Sequence, residues 1–150
     1  MVKVTKPQKN QPTLNLDKMK KSILFALVIA EATALKKSAT SAEIAHLNFN
    51  RLTPIDHKGC IYGQMTGSCF SPRATKLIES CAPKFIEAEI GDEITELEDC
   101  KLTETHERHT VDDEYYFSPI EVLISQPKTK GNAERLIAFL KGETEVLKLK

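Results

Sequence analysis

The stretch MKKSILFALVIAEATALKK, Met19 to Lys37, decides how the chain folds, because it has three incompatible readings. Its part from Met19 to Ala34, with a basic start, an eight-residue apolar run and an Ala-x-Ala-like ending, imitates an export signal. Eighteen residues precede it, however, and Glu31 stands where a signal carries apolar or small residues. A membrane-spanning helix needs about 20 consecutive apolar residues, more than this run supplies. The third reading is a core helix. From Leu16 to Lys37 the positions Leu16, Met19 or Lys20, Ile23, Leu27, Ala30 and Ala34 share one face, and Leu24, Val28 and Leu35 widen it into a mostly buried stripe. The core helix is adopted, and with it a cytoplasmic protein whose four cysteines are reduced thiols.

Around this helix the composition is that of one globular domain. The chain has 150 residues, 41% hydrophobic and 28% charged, with no tryptophan. Twenty-one basic and 21 acidic side chains cancel, so no overall field draws it to nucleic acid or an acidic membrane. The charge is nevertheless segregated. Residues 1–22 carry six lysines against Asp17, and residues 87–114 carry twelve acids against Lys101 and Arg108. A solvated tail and a solvated acidic face account for this. Residues 1–13, MVKVTKPQKNQPT, read as a flexible basic tail, and residues 14–150 as a single globular domain.

Helix starts punctuate the rest. Thr40 with Glu43 forms a capping box for a short helix, SAEIAHL. Ser71 followed by Pro72 starts a helix to about Cys81, with Ala74, Leu77, Ile78 and Cys81 facing the core and Pro83 ending it. Phe117-Ser118-Pro119 repeats Phe70-Ser71-Pro72, and Ser118 with Glu121 completes a second capping box for a helix over 119–125. Asn132 is read as the cap of a helix running to Lys141, stopped by Gly142. Strands are expected from LNFNRL (47–52), from FIEAEI and neighbours within 85–103, and from the closing EVLKLK (145–150). EITELEDC reads as strand or helix and THERHTVDDE as an acidic loop or hairpin. The fold class that follows is α+β: a compact, helix-rich single domain with a small antiparallel sheet.

Candidate chemistry gathers at CIYGQMTGSCFSP, Cys60 to Pro72, read as a glycine-rich loop ahead of a helix. Gly59, Gly63 and Gly67 recur every four residues, and Arg73 and Lys76 project from the helix beyond. Helix-start N–H groups beside cations make an anion site, for which Gly63, Gly67, Ser71, Arg73 and Lys76 are the candidate residues. Neither standard nucleotide fingerprint is present. The alternative is a structural loop with Tyr62 and Met65 packed inward. A thiol enzyme would use Cys69 or Cys60 with a histidine base, but no local signature surrounds either cysteine. His57-x-x-Cys60 and His106-x-x-His109 have pair-like spacing for zinc, but no CxxC accompanies them, and neither a metal nor a cofactor is expected.

Three segments, CIYGQMTGSCFSPRA, FSPIEVLI and LIAFLKGETEVLKL, together resemble small uncharacterised proteins carried by bacterial genomes and their phages, over residues 44–82 and 115–149. The resemblance implies an intracellular accessory protein of phage or mobile-element origin, and assigns no functional residue. Charge segregation without any catalytic signature makes the leading function non-enzymatic protein–protein interaction through the acidic 87–114 segment. The alternatives are binding of a phosphorylated ligand or nucleic acid at residues 59–76, and thiol catalysis. A protein partner is expected and a membrane is not.

Overall fold

A computed structural model of the chain describes residues 20–89, 101–102, 110–111, 114–126 and 131–150. The tail 1–13, Leu16, Met19, the segment EITELEDC and the pair His106 and His109 lie outside them.

Helix α1, Lys21–Ser38, runs through the centre of the molecule. Its buried positions are Leu24, Val28, Glu31, Ala32 and Leu35, a stripe turned away from the expected face, so that Ala30 is exposed while Ile23 and Leu27 are only half-buried. The segment is apolar on every side, so periodicity sets no phase. The neighbours set it instead, by placing polar groups opposite Glu31. Thr40 and Glu43 form the expected capping box at the start of α2, Ser41–Ala45.

Helix α3, Ile61–Thr66, occupies the segment expected to be a loop. Helix α4, Pro72–Cys81, starts on Ser71 as expected, its Oγ accepting from the Ala74 N–H at 3.1 Å. It buries Ala74 and Leu77, with Cys81 half-buried, and stops where Ala82 takes φ 42° and ψ 51° ahead of Pro83. Helix α5, Pro119–Ser125, has the second capping box, between Ser118 and Glu121. Helix α6, Asn132–Leu140, is capped by Gly131 at φ 92°, not by Asn132.

The packed core is helical. Helix α1 lies against α4, α5 and α6, and α3 lies against α2 and α4. Leu24, Val28, Leu35, Tyr62, Leu77, Ile120, Leu123 and Leu136 meet at the centre. The expected α+β domain with a small antiparallel sheet is thereby corrected. LNFNRL forms a turn of 3-10 helix, Phe49–Arg51, because the Asn48 side chain accepts from the Asn50 N–H and curls the backbone. EVLKLK forms no strand. Leu147 is buried, and the Lys150 N–H and C=O are both taken by the Asn132 side chain, at 3.0 and 3.1 Å. What pairing exists is short and peripheral: β1 (Ile86–Glu89), β2 (Lys101–Leu102), β3 (Thr110–Val111) and β4 (Glu114–Phe117), in the order β2-β1-β4-β3. Ile86 and Phe117, the strand residues whose burial is described, both join the central cluster formed mainly by the helices. Among the described residues no helix is long and apolar enough to cross a membrane.

Candidate functional site

The segment from Thr53 to Ser71 is a knuckle in which nearly every polar group has a local partner. Tight turns bring the Thr53 N–H to the Gly59 carbonyl and the Gly59 and Cys60 N–H groups to the Asp56 carbonyl. Cys60 then starts α3, its buried Sγ accepting from the Gly63 N–H at 3.3 Å. A serine or aspartate usually fills this position, so the local pattern conceals the helix. Gln64 staples the knuckle to the preceding segment. Its Oε1 accepts from the Asn48 N–H at 2.8 Å, and its Nε2 donates to the Asn48 and Gly59 carbonyls.

The candidate anion residues are placed as follows. Gly63 lies inside α3 against the His57 carbonyl, where a Cβ would collide. Gly67, at φ 96°, ends that helix, its N–H donating to the Gly63 carbonyl at 2.7 Å. Ser71 caps α4 and donates its hydroxyl to Thr66 Oγ1 at 3.1 Å. Arg73 turns away from the helix start: its Nε and Nη2 donate to the two Glu43 carboxylate oxygens at 2.7 and 2.8 Å, and Nη2 also donates to the Ser38 carbonyl. That fork holds the Glu43 carboxyl down to about 2. Lys76 stays exposed. The five residues thus do not converge on a common cradle, and the glycines serve chain geometry.

Tyr62 and Met65 do pack inward. The knuckle also turns one large apolar group outward. Phe70 is 78% exposed, and its ring stacks on His57 with centroids 5.6 Å apart and planes at 25°. The backbone beneath is fixed: the Cys69 N–H donates to the His57 carbonyl at 2.7 Å, the Phe70 N–H to Ser68 Oγ at 3.2 Å, and the Ser71 N–H to the Ser68 carbonyl. Ile55, two residues before His57, is 49% exposed. Sequence reading singled out the neighbouring cysteines and passed over Phe70, whose exposure no periodicity reports.

The acids with unusual surroundings are internal. Glu31 is fully buried, its Oε2 accepting from the Tyr62 hydroxyl at 2.7 Å and its Oε1 from the Ile120 N–H at 2.8 Å. Burial, against these two bonds, pushes its carboxyl up to about 7. Glu121, equally buried, accepts from the Ser118 N–H at 2.9 Å and from the Ile61 N–H at 3.1 Å. Burial pushes the Cys81 thiol up to about 11, with the Glu31 charge adding to the shift. Cys60, Cys69 and Cys81 form no disulfide with one another. Among the described residues no three His, Cys, Asp or Glu side chains gather where a metal ion would bind.

A shallow cleft of about 710 Å3 opens between the 47–50 segment and α6, over Leu47, Phe49, Ile124 and Ile137. Its lining contains neither cysteine nor histidine. No family model matches the chain, and neither a curated protein nor a solved structure is detectably similar to it.

Proposed function

We propose that the protein is a non-enzymatic interaction module whose contact point is the exposed Phe70 ring, backed by His57. The observation that carries this reading is the contrast at Phe70 between a side chain 78% exposed and a backbone hydrogen-bonded on both sides. An aromatic ring held on a rigid support loses little conformational freedom on binding, and such rings concentrate interface energy. Ile55 extends the apolar contact on the same knuckle. The groups that would serve catalysis support the same reading. Glu31, Tyr62 and Glu121 are closed inside the core, and the Cys60 thiol is a buried helix cap.

The acidic segment 87–114, the partner surface expected from sequence, lies mostly outside the described residues. The anion-binding alternative is not favoured, since Arg73 is committed to Glu43. Extended by the resemblance expected from CIYGQMTGSCFSPRA, the proposal is of a cytoplasmic accessory protein of mobile-element origin that acts by docking.

The test compares the wild-type chain with Phe70→Ala on an affinity support, with and without nuclease. One identified protein should be retained by the wild type and reduced at least about tenfold by the variant, a loss typical of a truncated aromatic hot spot. The unfolding midpoint should not change. Equal retention of that protein by both chains rejects the reading.

A further inference from the structure

The two buried carboxylates meet at a single place, the start of α5, and also fasten the start of α3. Glu31 comes from the middle of α1 and accepts from the Ile120 N–H, while Glu121 accepts from the Ser118 and Ile61 N–H groups. The Ser118 hydroxyl bonds to Glu31 and accepts from the Glu121 N–H. Tyr62 of α3 closes the ring by donating to Glu31. Two acids have thus been brought from positions 90 residues apart in sequence into one unexposed cluster.

We propose that this cluster is a proton-operated latch: a proton held by Glu31 clamps the starts of α3 and α5 onto α1, and its loss lets α5 lift away.

A buried carboxylate beside a like charge retains a proton that it would release in water, and Glu31 is such a group. Hydrogen bonds from Tyr62, Ser118 and the Ile120 N–H favour the charged form of Glu31, but burial outweighs them. From α3 it meets the Tyr62 phenol, held neutral well above its usual range by burial and by Glu31 itself. From α5 and its cap it meets Ser118 and the like charge of Glu121. From α4 it meets the Cys81 thiol, also held neutral. Helix α6 packs on α1 as well, but its Arg135 guanidinium is turned onto Asn132 Oδ1 at 2.9 Å. Neutral Glu31 keeps both contacts, because its carbonyl oxygen accepts from Ile120 and its hydroxyl shares a hydrogen bond with Tyr62. Ionised Glu31 keeps the same contacts but places an uncompensated charge in the core.

The sign follows from the two end states. The closed form holds its proton to about 7, whereas an opened Glu31 releases it near 4.5. Closure is therefore strongest below 4.5, weakens as pH rises from 4.5 to 7, and levels off above that.

The decisive experiment follows amide hydrogen exchange in the full chain at pH 6 and pH 8, corrected for intrinsic rates. Protection of the Ile61 and Ile120 amides should fall about tenfold between these pH values in the wild type. It should stay flat in Glu31→Gln, whose amide reproduces the neutral acid's contacts. Protection at Leu77, in helix α4, which makes no hydrogen bond to the acid cluster through that residue, should hold in both chains. The same fall at Leu77 would mean global destabilisation and would overturn the latch, as would an unchanged pH response in Glu31→Gln. Should that variant fail to fold, the carbon resonance of the Glu31 carboxyl in the wild type decides the matter. Titration close to neutrality supports the latch, and titration in the ordinary carboxylate range ends it.

Discussion

Gly63 shows how one hydrogen atom in place of a side chain fixes the knuckle. It sits in the middle of a six-residue helix, where alanine would ordinarily be favoured by about 1 kcal/mol. Here the sign reverses, because a Cβ would run into the His57 carbonyl, and that carbonyl is backbone held by the Cys69 N–H. Gly63→Ala should lower the unfolding free energy by about 2 kcal/mol or more, read as a shift of the urea midpoint at constant slope. The same change should disturb the Phe70–His57 pair, since His57 is the residue displaced. Gly59, with a Cβ position 2.8 Å from Thr53 Cβ, is a milder case of the same close approach. The spacing of these glycines was visible in sequence and suggested a phosphate cradle. Its cause is contact between chain segments, which spacing alone does not reveal.

The elements divide by how local their instructions are. Three helix starts were legible, Thr40 with Glu43, Ser71 with Pro72, and Ser118 with Glu121, because each cap is completed within three residues. Helix α3 was missed because a cysteine caps it and two glycines fall in or beside it. The ends of α6 were displaced by a distant contact. Asn132, expected as a cap, is buried and holds the main chain of Lys150 instead, while Arg135 braces it. Asn132→Ala should therefore release the closing segment without unwinding α6. The expected result is faster proteolytic cleavage between Val146 and Lys150, and a stability loss of about 1–3 kcal/mol from the unmade buried hydrogen bonds. Unchanged cleavage would show that Leu147 alone anchors that segment.

At the scale of the whole molecule the two perturbed acids act in opposite directions. Glu43, held down to about 2 chiefly by the Arg73 hydrogen bonds, contributes stability above 4.5 that is lost as pH falls toward 2. Glu31, pushed up to about 7, contributes stability in acid that is lost as pH rises from 4.5 to 7, on the order of 3 kcal/mol. Thermal unfolding followed from pH 2 to pH 8 should peak in mild acid near 4.5 and decline toward neutrality. Arg73→Ala should flatten the acid limb, and Glu31→Gln the neutral limb. A midpoint that rises steadily to pH 7 would contradict the assignment of Glu31. This opposition is a property of the tertiary structure, since Arg73 reaches Glu43 from 30 residues away and the helices that bury Glu31 lie far along the chain.

The sequence by itself determined three helix starts, at Thr40, Ser71 and Ser118, and that the stretch Lys21–Ser38 is helical, because those features depend on residues a few positions apart. Tertiary structure decided the rest. Helix α1 is apolar all round, so only its neighbours could choose the face that carries Glu31 inward. The segments 47–52 and 145–150 alternate like strands, yet the Asn48 side chain holds the Asn50 N–H and the Asn132 side chain holds the Lys150 N–H and C=O instead. Whether a group is used up or left outward is likewise a matter of contacts far along the chain. Arg73 spends its charge on a carboxylate 30 residues away, and Phe70 is the more exposed of the knuckle's two outward apolar side chains, Ile55 and Phe70.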